Sequence, residues 1–508
     1  MIRLPAALAV TAIIVAAPFP TGPVRADTAT DYSLTIYSRS QPGAVDPSLY
    51  RPAGRRQPGS VPGYAVVRQT QAAELPQGAS QLRVQDVASL IDPTTVSIRL
   101  LDDQKDTMRV LEQNFEFDLV SSAKLLDRYL NREITVTRDG AGGDTQVTGT
   151  LLSTDGGLVL RQAGGGVQIV NGYRDIKLPE LPGGLITKPT LVWHVQSATA
   201  GKRKLQISYQ TDGMTWWTDY NATLKGDDKG RCMLDLNAWV SIVNQSGAGF
   251  PDAHLKLIAG DVQRIVGAGQ RVMMEAAPVA KAPGPPGFQE KPFFEYHLYT
   301  LPGRTSLPDN STKQLELFPA ARGVSCSKEY VYGAPPAYPP YQSKPLTNRN
   351  PGWLTADHVA VFLTFRNDEK SGLGMPLPAG RLRINKEDPT DGSLEFIGED
   401  VIDHTPRDEN VRVGLGNAFD IVAERKQTDF RLDTSAKTMD ESFEIKIRNH
   451  KETPVTVKIN EVMYRWVNWE IVKSSRNFKK RDARSVQIPV TVEPGAEATV
   501  TYDVRYSW

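Results

Sequence analysis

The side chains with the densest chemistry lie in one short stretch, Glu399, Asp400, Asp403, His404, Asp408 and Glu409. Carboxylates interleaved with an imidazole can hold a hard cation, or share the work of a general acid and a general base. Aspartates also populate turns for their own reasons, because the short carboxylate bonds to nearby backbone amides. The sequence favours the second account, a solvated acidic loop. Asp400, Asp403 and His404 remain the candidate catalytic residues of a minority reading, and none is assigned a role outright. Lys386–Gly392 carries Asp388, Asp391 and Gly392 but lacks the alternating spacing of a calcium loop, so it reads as a turn.

Established catalytic signatures are missing. The chain holds no H-E-x-x-H, no phosphate loop of the G-x-x-x-x-G-K-[ST] type, no G-x-S-x-G elbow and no C-x-x-C. Gly414-Leu415-Gly416 is half of a dinucleotide fingerprint without the strand–helix context it needs, and so is a turn. No cofactor and no metal is expected, and the enzyme question leans towards no.

The tryptophans are more informative. Trp216 and Trp217 are adjacent, and on a strand adjacent side chains point to opposite faces. One of them belongs in a core, which leaves the other for solvent, a neighbouring domain or a ligand. Trp466 and Trp469 are three apart and also diverge on a strand. Trp216, Trp217 and Trp469 are the candidate platform residues, since an indole face stacks on sugar rings or packs against a partner protein. The basic run Lys479-Lys480-Arg481 with Arg484 reads as a solvated face.

These residues sit in a chain of 508 residues, 40% hydrophobic and 23% charged, with formal charge +1. Such a balance excludes a disordered chain, and it lacks the basic excess of a nucleic-acid binder. Two cysteines, Cys232 and Cys326, exclude a disulfide-dense scaffold and a four-cysteine zinc module. Whether the two pair is open, because nothing in their spacing brings them together. Arg3, the uncharged apolar stretch Pro5–Phe19 and Val24-Arg25-Ala26 have the form of a secretory signal cleaved after Ala26. Cleavage would remove two arginines and no acid, shifting the charge from +1 to −1. No later stretch approaches spanning length, so no transmembrane span is expected after cleavage, and the location is periplasmic or extracellular.

The elements that must carry these residues are nearly all strands, and the fold class is mainly β. A flexible lead-in over 27–60 contains one early strand at Ser33–Tyr37, and further strands fill 61–118. Leu119, Ala123, Leu126 and Leu130 then follow helical spacing over Asp118–Asn131, with Asp118 or Ser121 as cap. Five short strands with tight glycine turns follow it, so 119–180 reads as a helix plus a small closed β-barrel, reminiscent in order of Sm-like and SH3-like barrels. Such barrels include RNA binders, but the charge balance argues against nucleic acid here. Long strands over 190–415 suit an antiparallel β-sandwich, broken by Pro-rich excursions at 267–292 and 333–351. Over 416–508, Phe443, Ile445 and Ile447 alternate with charged residues, as do Val455, Val457 and Ile459. Val486–Val492 and Ala498–Tyr506 repeat the pattern, giving an immunoglobulin-like C-terminal sandwich.

Several segments resemble a bacterial family known as domain of unknown function (DUF) 4139. They are Tyr209–Tyr220, Ala259–Val262, Phe396–Asp400 with His404-Thr405-Pro406, Asn468–Ile471 and Tyr502–Trp508. The resemblance spans Tyr64 to Trp508 and implies a secreted or periplasmic β-rich protein, without catalytic residues to carry over. The expectation is an exported, multi-domain, non-catalytic binding or assembly protein of the bacterial envelope, with an envelope protein or polysaccharide as partner. The alternative is a hydrolase acting on an envelope glycan or peptide polymer through Asp400, Asp403 and His404. Oligomeric state is open.

Overall fold

The computed structural model describes residues 23–38, 61–101, 108–139, 144–180, 182, 185–226, 232–260, 287–333, 343–349 and 358–508. The apolar stretch Pro5–Phe19 and most of the two expected excursions lie outside them. Among the described residues the protein is built from four sheets and one seven-residue α-helix, and no helix is long and apolar enough to cross a membrane. Among the described residues, strand pairs are antiparallel except four.

Asp31–Tyr37, the early strand, lies between Phe250–Ala259 and Tyr64–Leu75 within a seven-stranded sheet. Its Leu34 and Ile36 are fully buried. A four-stranded sheet is centred on Gly78–Gln85 and Thr190–Ser197, with Met108–Glu116 on one edge and Val24–Arg25 on the other. Cleavage after Ala26 would take that two-residue edge strand away and leave Asp27, whose amide donates to the Ala72 carbonyl at 2.7 Å.

The helix is shorter than its apolar spacing predicts. It runs over Ser122–Arg128, capped by Ser121, whose hydroxyl accepts from the Lys124 amide at 3.3 Å. Asp118 is not the cap; it forms ion pairs with Lys124 and Arg128 on the exposed face. Leu126 and Tyr129 enter the core, while Leu130 points outward. Tyr129 wins the inner position because its hydroxyl donates to the Glu180 carbonyl and accepts from the Glu180 amide.

All five strands expected behind the helix are present. Their order is Val167–Val170, Leu158–Arg161, Thr145–Ser153, Glu133–Arg138 and Asp175–Lys177, and the two outer strands do not pair with each other. The expected barrel is therefore corrected to an open five-stranded sheet. Strands of four and three residues at the edges already limit the exposed hydrogen-bonding groups that closure would have removed.

The largest sheet has thirteen strands and joins the middle of the chain to its C-terminal part. Ser311–Tyr332 is the hinge of that joint. Its first part pairs with Cys232–Asn244, and beyond Cys326 that side is taken over by Val455–Val462, parallel, at Tyr330–Tyr332. Cys232 and Cys326 are direct register partners at the handover, with Cα atoms 4.9 Å apart, and form a disulfide. Asn410–Asp433 likewise spans the joint, pairing first with His358–Arg366 and then with Thr438–Asn449.

The period-two pattern of the C-terminal part is realised as expected. Phe443, Ile445, Ile447, Val457, Ile459, Val486, Ile488, Val500, Tyr502 and Val504 are all buried in one core, together with Tyr330 and Tyr332 from the long strand. A second, larger core lies under Met214–Gly226 and Cys232–Asn244 and extends to the seven-stranded sheet.

Candidate functional site

The adjacent tryptophans divide as strand geometry requires. Trp216 is 2% exposed, packed in the larger core with its ring 6.3 Å from that of Tyr299, so it cannot serve as a surface platform. Trp217 faces the other way, its ring against Val61 and Val243. Its register partner is Ser241, and Asp219, two residues on, is opposite Trp239. Because side chains two apart share a face, Trp217, Asp219, Trp239 and Ser241 form one surface across two strands.

Two further strands complete it. Ser311–Tyr332 brings Thr312 and Gln314 beside Ser241, and Gly380–Glu387 brings Arg381 and Arg383 beside Asp219 and Asn221. The latter strand pairs parallel to Met214–Gly226 and begins at Gly380. A Cβ at Gly380 would overlap the Thr218 carbonyl, so glycine permits the approach that delivers both arginines. Tyr220 fastens the same junction through its hydroxyl, which donates to the Pro378 carbonyl at 2.7 Å.

Together these residues line a shallow cleft of about 500 Å³. Asp219 is its organising group. Oδ2 accepts from the Trp217 indole Nε1 at 2.7 Å and from the Ser241 hydroxyl at 3.3 Å. Gln314 in turn donates to Ser241 at 3.1 Å. Oδ1 lies 3.4 Å from Arg383 Nη1 and 3.7 Å from Arg381 Nε, and the side chain is only 11% exposed. The second contact is too long for a hydrogen bond, and Arg381 Nε has no other partner among the described residues. Glu399 takes the other side of Arg383 at 3.3 Å.

Two guanidinium cations thus face two carboxylates, and the cleft is close to neutral. Trp239 is 38% exposed at its rim. The arrangement offers indole faces with amide, hydroxyl and guanidinium donors held on a sheet. Ser241 donates to a carboxylate, and among the described residues no imidazole lines the cleft. Chemically this is a surface for stacking and hydrogen bonding.

The acidic stretch does other work. Asp400, on Leu394–Ile402, accepts from the Val401 amide at 2.8 Å and from the Gly414 amide at 2.7 Å. His404 Nδ1 accepts from the Ala379 amide at 3.0 Å. Asp403 uses its backbone carbonyl to accept from the Thr405 hydroxyl at 2.9 Å. Asp408 occupies the left-handed region at φ 65°. None of the three catalytic candidates lines the tryptophan cleft. Among the described residues no group of three or more His, Cys, Asp and Glu side chains is arranged to hold a metal ion.

Trp469 lies on Trp469–Ser474, far along the sheet order, and is engaged on two sides. Its Nε1 donates to the Ala483 carbonyl at 2.8 Å, and Lys480 Nζ stands 4.5 Å from the ring centre. Trp466 packs beside the C-terminal core. Residue type alone does not single out Trp239, Arg381 or Arg383. The alternation within Cys232–Asn244 does place Trp239 on the outward face, but only strand register puts it beside Trp217.

The chain matches no protein-family model and no curated protein. The likeness of Tyr209–Tyr220 and its companion segments to the bacterial family described above therefore rests on those motifs alone.

Proposed function

We propose that this is an exported, non-catalytic binding or assembly protein of the bacterial envelope, whose tryptophan cleft takes a chain of sugar rings. The observation that carries the reading is the pairing of Trp217 and Trp239 with the Asp219-centred network on one sheet face. Sugar rings present apolar faces to indoles and hydroxyls to planar donors and acceptors, and both are at hand. Export is supported by the signal-like N-terminal pattern and the Cys232–Cys326 bridge, because disulfides persist in oxidising compartments. The motif likeness to domain of unknown function 4139 supports the same setting. An immunoglobulin-like sandwich for 416–508 belongs to this proposal, on the strength of its alternating strands.

The test is co-sedimentation with purified peptidoglycan sacculi and fluorescence titration with chitotetraose. Binding of either, weakened roughly tenfold or more by Trp217→Ala or Trp239→Ala, is the expected result. No binding to either, or binding that ignores both substitutions, sinks the reading. Hydrolysis through Asp400, Asp403 and His404 has less behind it, because Asp400 and His404 already hold backbone amides. Release of soluble fragments from the sacculi, abolished by Asp400→Ala, would replace binding with catalysis.

A further inference from the structure

A second cleft, of about 430 Å³, lies on the thirteen-stranded sheet where the C-terminal strands take over the edge of Ser311–Tyr332. Its character is opposite to that of the first. Arg412, Lys458 and Arg481 line it, and Glu329 is the one carboxylate among its lining residues. The three cations come from separate elements: Asn410–Asp433, Val455–Val462, and the turn between Lys479–Lys480 and Ser485–Val492. Their convergence is a product of the topology, whereas the basic run in the sequence is local.

Two of the cations are held by side-chain contacts, and the third is anchored at its backbone. Arg412 lies flat on Phe362, its guanidinium carbon 3.4 Å from the ring centre, so its N–H edge is aimed and its plane fixed. Glu329 bonds Lys458 Nζ at 2.8 Å and pairs with Arg412 Nε at 3.5 Å, which holds both at the wall. Arg481 is anchored by its backbone amide on the Ser485 carbonyl and makes no side-chain ion pair within 4 Å among the described residues. The adjacent Asp482 is turned into its own loop, accepting from the Arg484 amide and the Ser485 hydroxyl. Three cations against one carboxylate leave an excess of two positive charges.

The neutral lining has the same polarity. Gln487 donates to Asn460 Oδ1 at 2.9 Å, which commits the acceptor of that amide and leaves its NH₂ as a donor. Thr364 Oγ1 is shielded from solvent and has no partner among the described residues.

We infer that this cleft is a binding site for a tetrahedral oxyanion, a phosphate or sulfate group, carried free or as an ester. Planar guanidinium groups and an ammonium, supported by an amide donor, are the complement of an anion with three or four acceptor oxygens. The site is independent of the sugar-binding reading, since the two clefts share no residue.

Calorimetric titration of the full chain with inorganic pyrophosphate, glucose 1-phosphate and glucose tests it. The expected result is saturable binding of one or both anions that excess glucose does not compete away, and affinity that falls with added salt. Tighter binding of glucose 1-phosphate assigns the site to an ester, and tighter binding of pyrophosphate to a free ion. Arg481→Gln should weaken binding roughly three- to tenfold, as loss of one charge-assisted contact does. Glu329→Gln should strengthen it by a similar factor, because Arg412 and Lys458 lose their internal competitor. Thermal unfolding of both variants establishes that they fold. The inference is overturned if neither anion binds, or if a folded Arg481→Gln protein binds them as well as the parent.

Discussion

Arg465 and Glu441 form an ion pair of 2.6 Å in which neither side chain is exposed to solvent. Arg465 does more than neutralise Glu441. Its two terminal nitrogens also donate to the carbonyls of Leu346, Asn348 and Arg349, at 2.8, 2.7 and 3.2 Å. The guanidinium therefore fastens the 343–349 segment to the C-terminal core. Although desolvation works against the cation, the Glu441 contact outweighs it and holds Arg465 more firmly protonated than an ordinary arginine.

Removing this arginine leaves a carboxylate in the core without its main partner. Arg465→Met should cost about 3–5 kcal/mol in denaturant unfolding, the range for breaking one side of a buried pair. The double variant Arg465→Met with Glu441→Leu should recover much of that loss, because no charge is then stranded. A single variant as stable as the parent would mean that the pair is not closed to water in solution.

The disulfide makes a separate prediction. Cys232 and Cys326 are 94 residues apart in the chain and directly opposite in the sheet, at the point where two groups of strands meet. Tethering a loop of that length removes unfolded-state freedom, typically about 2–4 kcal/mol. Reduction, or the double change to Ser, should lower stability by that order while leaving the β-sheet circular dichroism intact. Equal unfolding curves with and without reductant would show that the bridge is not formed in the isolated protein.

How far the sequence reveals such features depends on how local they are. Opposite faces for Trp216 and Trp217 follow from adjacency on a strand, and the C-terminal alternation follows from period two, so both are legible. The disulfide and the Trp217–Trp239 face depend on which strands pair, at separations no local pattern records. Helix extent is misread because Leu130 fits the apolar spacing, whereas Tyr129 gains two hydrogen bonds by going inside. Closure of the five-stranded unit is misread because strand count does not say whether the outer strands meet. Arg465 is hidden because arginine is among the residues least often fully buried.

Asp219 is predicted to hold the tryptophan cleft together. Asp219→Ala removes the acceptor for the Trp217 indole and the counter-charge of Arg381 and Arg383. A loss of about 1–3 kcal/mol is expected, since the indole N–H loses its acceptor and Arg381 its counter-charge, while Arg383 keeps Glu399. Trp217 should loosen with it, giving a red shift in tryptophan emission that Asp219→Asn shows to a smaller degree. Unchanged stability and emission in the alanine variant would remove Asp219 from its organising role.

Acid should act on the same ion pairs that shape the second cleft. The hydrogen bond from Lys458, with Arg412 adding to it, holds the Glu329 carboxyl below its ordinary value of 4.5. Asp235 is likewise held below 3.8, by Lys225 and then by the Gly323 amide. A carboxyl whose folded value is depressed stabilises the fold above its unfolded value, and loses that contribution as pH falls through the folded one. Thermal midpoints should accordingly stay level from about pH 7 to pH 5 and decline below about pH 4. Glu329→Gln should start from a lower midpoint and decline less steeply, because glutamine has no proton to gain. If the parent and the variant fall in parallel, Glu329 does not carry the acid sensitivity assigned to it here.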